Sequence, residues 1–242
     1  MFSIITVTYN AASHIAILTE SLKLQKDHDF EWVIVDGKST DNTVEIIHKH
    51  AEGLNYKIVS ERDFGIYDAF NKGIKLIGSK YYMVLGADDY LLPDASKVIN
   101  EKINDGQNFD ICVSSVIINN SIVPARWEID KAYLGAHQII NSHSVAMLIN
   151  KDLHDKVGLY SLRYLQCADA LFIKSLVALK ELKVIFNMMP IGCFSIGGVS
   201  TVNVARGLCE GFLIQLETEK SKSLQFLFFI ARLVKNFFKL TK

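Results

Sequence analysis

Compact apolar and β-branched runs alternate along the first half of the chain with segments whose apolar residues recur at helical spacing. Phe2–Thr8, residues 31–36, Tyr56–Ser60 and residues 81–85 each have the length and composition of a buried strand. Between them, Ile15, Leu18 and Leu22, then Val44 and Ile47, then Ile66, Ala69, Phe70, Ile74 and Ile77 fall on one helix face. This alternation predicts a parallel sheet whose right-handed crossovers gather the strand-to-helix loops at one edge. Past Pro93 an amphipathic helix extends to about Ile103, a strong strand pattern covers Ile111–Ile118, residues 119–150 are less regular, and helical spacing returns from Leu165 to Leu182.

The polar residues that the strands lack sit in their exit loops. Tyr9-Asn10, Asp36-Gly37-Lys38-Ser39-Thr40-Asp41, Glu61-Arg62-Asp63-Phe64-Gly65 and Gly86-Ala87-Asp88-Asp89 are expected to converge on one crevice. For Ser39, Thr40 and Asp41 a turn and helix start is the better reading. Asp88 and Asp89 are adjacent carboxylates with no lysine or arginine nearby in sequence to neutralise them. A hard cation such as Mg²⁺ or Mn²⁺ suits such oxygen ligands, and a cap on the helix near Pro93 is the alternative.

Composition narrows the classes. The 242 residues, 50% apolar and 21% charged, suit one large globular domain with or without a terminal appendage. Twenty-six basic residues balance twenty-six acidic ones, so no global field favours nucleic acid. Cys112, Cys167, Cys193 and Cys209 lack the spacing of a metal site or a disulfide framework and are read as reduced thiols. The N-terminus carries no secretory pattern, and residues 224–238 are too short and too interrupted to span a bilayer, so the cytoplasm is the expected compartment. No G-x-G-x-x-G follows the first strand and no P-loop is present, which argues against a dinucleotide oxidoreductase or a P-loop NTPase.

Taken together, these pieces resemble the family 2 glycosyltransferases. The match runs through Ser3-Ile4-Ile5-Thr6-Val7-Thr8-Tyr9-Asn10, the segment from Glu31 to Thr43, the stretch Ser60-Glu61-Arg62-Asp63-Phe64-Gly65-Ile66-Tyr67-Asp68-Ala69-Phe70-Asn71-Lys72-Gly73 seen in bacterial surface-polysaccharide enzymes, and Gly86-Ala87-Asp88-Asp89. It continues through His143-Ser144-Val145-Ala146-Met147, with His137-Gln138 as the rival acceptor-side histidine, and through Cys167-Ala168-Asp169-Ala170-Leu171 and the glycine loop Gly197-Gly198-Val199-Ser200.

The resemblance implies a glycosyltransferase A fold: a Rossmann-like, mostly parallel α/β sheet flanked by helices, with a C-terminal helical tail. Residues 1–205 would form the catalytic domain, with 1–92 gripping a nucleotide-sugar, 93–205 shaping the acceptor site, and 206–242 as a basic amphipathic tail. Thr8, Tyr9 and Asp36 would line the base and ribose pocket, with Arg62, Asp63 and Asp68 near the donor. Gly37 stands where many relatives have a second aspartate. Asp89 would hold Mn²⁺ or Mg²⁺ against the diphosphate of a donor, a UDP-sugar by expectation, while Asp88 binds ribose or a metal-bound water. Asp169 would deprotonate the acceptor hydroxyl in an inverting transfer, and a helix cap is its plain alternative. Arg126-Trp127 precedes Asp169 and lacks the glutamine of processive synthases, so single-sugar addition is expected.

From residue 220 onward the chain has six basic residues, no acidic one and five phenylalanines. Such a segment suits either a membrane interface bearing a lipid-linked glycan acceptor or a helix packed on protein. A nucleotidyltransferase and a non-catalytic nucleotide-sugar-binding module are the competing functions. The former normally carries a glycine-rich, basic triphosphate loop that residues 7–12 lack.

Overall fold

A computed structural model describes residues 1–141, 143–195 and 203–240, so the Gly197–Ser200 loop lies outside the described residues. The first four strands, β1 (Phe2–Thr8), β2 (Phe30–Asp36), β3 (Tyr56–Ser60) and β4 (Tyr81–Val84), form a parallel set in the order β3-β2-β1-β4. Helices α1 (Ile15–Lys23), α2 (Thr43–His50) and α3 (Ile66–Leu76) make the crossovers, as the alternating pattern predicts. Successive strand residues face opposite sides, so Ile4, Trp32, Ile34 and Met83 pack with α1 and α2, whereas Ile5, Val33, Tyr82 and Val84 pack with α3.

Parallel register explains why the exit loops meet. Thr8 lies beside Asp36, and Asp36 beside Ser60, so three polar strand ends stand in a row at one edge. Further down the sheet, Glu31 accepts from Ser3 Oγ at 2.6 Å and from the Gly78 backbone N–H at 2.6 Å, with Lys57 at 3.2 Å. These contacts tie β2 to β1 and to the turn before β4.

Beyond β4 the sheet becomes mixed. β8 (Met147–Asn150) joins β4 antiparallel, β6 (Ile111–Ile118) joins β8 antiparallel, and β9 (Val184–Phe194) runs parallel to β6 with irregularities on either side of Ser115. β5 (Tyr90–Leu91) closes on β9, and β7 (Ser121–Val123) hairpins with β6. Helix α4 (Ala95–Asn104) follows β5, and the short helices α5 (Ala136–Ile139) and α6 (Leu153–Val157) flank β8. The expected helix over 165–182 is shorter, α7 (Ala168–Val177), because the preceding backbone wraps a carboxylate, as described below.

The C-terminal segment forms α8 (Val204–Thr218), α9 (Lys222–Lys235) and α10 (Phe237–Leu240). Asn203 caps α8 by accepting from the Arg206 N–H at 2.9 Å. Gln215 and Gln225 both donate to the Tyr133 carbonyl, Arg232 donates to the Leu134 carbonyl, and the Phe212 and Phe229 rings stack 4.3 Å apart. The tail is therefore docked on the segment that holds Tyr133 and Leu134. It still turns Phe226, Leu227, Ile230 and Val234 outward along one stripe of α9. No helix among the described residues is long and apolar enough to cross a membrane.

Candidate active site

At the exits of β1 to β3, two of the residues expected to line the base and ribose pocket bond each other. Asp36 is fully buried and accepts from Thr8 Oγ1 (2.9 Å), Ser39 Oγ (2.5 Å), Ser39 N–H (2.9 Å) and Ser60 Oγ (2.6 Å). A carboxylate has about four lone-pair directions, and all are used here. Burial pushes the Asp36 carboxyl up, but these hydrogen bonds outweigh it and hold the group below the usual aspartate range. Asp36 and Thr8 thus fasten the loops at this edge to one another.

The exposed groups at this edge are others. Tyr9 is 66% exposed, its ring free to stack. A Cβ added at Gly37 would meet Asp63 Oδ2 at 2.6 Å and the Tyr9 ring at 3.4 Å, so the Asp63 carboxylate fills the space where a side chain at position 37 would begin. Asp63 Oδ1 accepts from Gly65 N–H at 2.9 Å, and Asp68 Oδ2 accepts from Phe64 N–H at 3.1 Å, which shapes the loop after β3. Lys72 braces the same loop by pairing with Glu61 at 2.9 Å and Asp68 at 3.4 Å. Arg62 is exposed at its crest.

At the exit of β4, the two aspartates separate in role. Asp89 is 2% exposed; its Oδ2 accepts from Gly86 N–H (3.0 Å) and Ser144 Oγ (2.8 Å), and its Oδ1 from Ser195 N–H (2.9 Å). Asp88 is only half-buried, and its carbonyl accepts from Ser195 Oγ at 2.6 Å. Neither caps α4, whose N-cap is Asp94. Burial raises the Asp89 carboxyl to about 6 against those hydrogen bonds, with the Asp88 charge adding to the rise. Two hard oxygen donors left short of positive charge fit a divalent cation that fills the rest of its shell from water and phosphate. Among the described residues, no group of three or more His, Cys, Asp or Glu forms a complete protein cage.

His137, His143 and Asp169 meet at a cavity of about 400 Å³ lined also by Ile173, Ile214 and Arg232 among others. Asp169 stands in the first turn of α7, whose N-cap is Cys167, so it is not the cap. Its Oδ1 accepts from Tyr67 Oη and Ala170 N–H, both at 2.8 Å, and no described residue pairs with Oδ2. Burial, reinforced by the neighbouring Asp169 charge, pushes the Tyr67 phenol well up and keeps it a donor. Both histidines line the cavity, His143 buried and His137 exposed at the rim. Arg126 of the Arg126-Trp127 pair donates to the carbonyls of His137 and Ile140 and thereby fixes α5.

Sequence reasoning missed Glu210. From α8 its carboxylate accepts the backbone N–H groups of Leu165 (3.1 Å), Gln166 (2.9 Å) and Cys167 (2.9 Å), the three residues leading into α7. A carboxylate at a helix N-terminus is stabilised by unpaired N–H groups and the helix dipole, and here it aims Asp169 at the cavity. The contact spans 43–45 residues, and no local pattern announces it. Ser144 is the second such residue: it bonds Asp89, while its chain neighbour His143 lines the cavity with Asp169. Directly after them, Val145 adopts φ 65°, a left-handed conformation that a β-branched residue rarely takes.

Sheet order, exit loops and paired aspartates define the class: an α/β protein of the glycosyltransferase A fold. S. aureus TarS residues 1–349 superpose with a TM-score of 0.68 at 18% identity, over 94% of this chain and 69% of that one. The mannosyltransferase PcManGT from Pyrobaculum calidifontis, in complex with GDP-Man and Mn²⁺, superposes with a TM-score of 0.63 at 14% identity, over 97% and 74%. The pattern of glycosyl transferase family 2 matches residues 3–176, and the chain belongs to that family. A PGL/p-HBAD biosynthesis glycosyltransferase of Mycobacterium bovis (BCG / Pasteur) is 32% identical over 176 residues, 70% of this chain. The chain spans 66% of that relative's length. The poly(ribitol-phosphate) beta-N-acetylglucosaminyltransferase TarS of Staphylococcus aureus (Mu50) is 33% identical over 112 residues, 43% of this chain and 20% of TarS.

Proposed function

We propose that this chain transfers a single sugar, with inversion, from a UDP-sugar to a hydroxyl of a glycan acceptor, lipid-linked in the reading favoured here, in bacterial surface glycan assembly at the inner face of the membrane. The observation that carries it is the link Asp89–Ser144–His143: Ser144 bonds Asp89 on one side, and its chain neighbour His143 lines the Asp169 cavity on the other. That adjacency supports an electrophile held by Asp88 and Asp89 close to a nucleophile held beside Asp169.

Tyr9 stacks on the base, Asp63 accepts from its edge, and Arg62 meets phosphate. Asp88 and Asp89 hold Mn²⁺ or Mg²⁺, which when bound supplies positive charge opposite the leaving diphosphate. Asp169 accepts the proton of the attacking hydroxyl at Oδ2 while Tyr67 and the Ala170 N–H fix Oδ1. One TarS structure is a complex with UDP-GlcNAc, which supports a uridine donor here. The outward stripe of α9, flanked by lysines in a segment free of acidic residues, supports contact with anionic lipid.

A thermal-shift panel of UDP-, GDP- and dTDP-sugars with and without Mn²⁺ tests the donor and metal readings together. A Tm rise with UDP-sugars that depends on Mn²⁺ is expected, and no rise with any donor would overturn the assignment. Flotation on anionic vesicles tests the tail: Phe226→Ser/Ile230→Ser should lose partitioning, and unchanged partitioning would remove the membrane contact.

A further inference from the structure

Behind His143 lies a buried chain of polar groups with a fixed end. His154 Nδ1 is 3.0 Å from the Gly158 carbonyl, His154 Nε2 is 2.7 Å from Tyr82 Oη, Tyr82 Oη is 3.3 Å from Tyr160 Oη, and Tyr160 Oη is 2.7 Å from His143 Nε2. All four side chains are buried. Phe172 and the ring of Tyr160 pack around both imidazoles, with His154–Phe172 stacked at 4.9 Å and His143–Tyr160 edge-on at 5.5 Å. No water-filled gap separates one group from the next.

The direction of the chain follows from its end. A carbonyl only accepts, so His154 carries its proton on Nδ1 and presents a bare Nε2. Tyr82 then gives its only proton to His154. Two phenol oxygens at 3.3 Å with no hydrogen between them would repel, so Tyr160 donates to Tyr82 and its oxygen is left to accept from His143. The opposite polarity needs a His154 imidazolium; burial, the largest effect on this ring, opposes that charge, as do His143 and Lys151, whereas Gly158 and Asp155 favour it.

We infer that the Gly158 carbonyl, acting through His154, Tyr82 and Tyr160, locks His143 as the Nε2–H tautomer, so that its Nδ1 faces the acceptor cavity as a hydrogen-bond acceptor. Nδ1 is bonded to no described residue and is not among the sealed, unpaired buried polar atoms. The cavity thus offers two acceptors, His143 Nδ1 and Asp169 Oδ2, and it suits a substrate that brings two neighbouring hydroxyls, one attacking and one binding. Tyr82, Tyr160 and His154 are positioning residues. The tautomer stands on the chain geometry alone, whereas the diol preference rests on the acceptor reading above.

Side-chain ¹⁵N correlation spectra of the full chain at neutral pH read the tautomers without substrate. The expected result is a protonated, pyrrole-type Nε2 on His143 and a protonated Nδ1 on His154. A protonated Nδ1 on His143 would overturn the proposal. Tyr82→Phe keeps the packing but frees the Tyr160 proton for His143, so His143 should shift toward Nδ1–H, with a Tm drop of a few degrees from the His154 Nε2 left unpaired. In transfer assays the same variant should raise the acceptor KM about 5–20-fold while the donor KM stays unchanged, and Tyr82→Phe leaving the His143 spectrum untouched would sink the relay. A correct tautomer with an unchanged acceptor KM would refute the diol contact alone.

Discussion

The two halves of the molecule build their parts of the site differently. In the half proposed to hold the donor, the strands run parallel in unbroken register, so Thr8, Asp36 and Ser60 arrive side by side from three exits, and Thr8 and Ser60 both bond Asp36. In the half proposed to hold the acceptor, the sheet is mixed, and position is set by long-range contacts from single residues such as Glu210 to residues 165–167, Ser144 to Asp89 and Ser195 to Asp89. Register distributes the burden over a whole edge, whereas single contacts concentrate it. One substitution should therefore disturb the acceptor half more.

The largest expected effect sharpens that contrast at its centre. Asp169→Asn should lower kcat by about 10²–10⁴-fold while UDP-sugar affinity, measured by calorimetry, stays near wild type. An equal loss of donor binding would move Asp169 to the donor half. Next comes Glu210→Ala, which strips three N–H partners and leaves those groups half-buried. It should lower kcat about 10–100-fold with an unchanged donor Kd and a stability loss of about 1–3 kcal/mol by denaturant titration.

Gly192→Ala tests the seam where β9 meets β5. A Cβ there would stand 2.7 Å from the Tyr90 carbonyl and 2.7 Å from Val145 Cγ1, so a Tm drop of several degrees is expected, and an unchanged Tm would show the seam to be loose.

The smallest effect belongs to the donor half and is read through pH. Burial raises the Glu31 carboxyl, but hydrogen bonds from Ser3, the Gly78 N–H and Lys57 outweigh it and leave it below the ordinary 4.5. Folding therefore favours the ionised form; its contribution is whole above the unfolded pKa and is lost as pH falls through the folded one. Glu31→Gln should lower Tm modestly at pH 7 and flatten its fall below about pH 5, and an unchanged acid limb would break the assignment.

How much of this could be read beforehand follows the same division. Alternating strand and helix periods gave the order β1 to β4, and polar residues at strand exits marked the edge, because both signals are local. The orientation of Asp36 was not legible: a carboxylate at a strand end looks the same in sequence whether it meets a ligand or, as here, Thr8, Ser39 and Ser60. Short β8 and bulged β9 carry too few alternating positions to stand out, and β9 holds its place through β6, some 73 residues away in register at Ile111 and Val184. Contacts that span the chain leave no periodic trace.

The helices after residue 203 have a consequence for how such proteins diversify. Ile214 and Arg232 supply part of the cavity wall facing Asp169, yet none of the groups bonding Asp36, Asp63 or Asp68 comes from that segment. On the function proposed above, exchanging these terminal helices between relatives offers inheritance a way to retune which alcohol is accepted while the nucleotide half passes on unaltered.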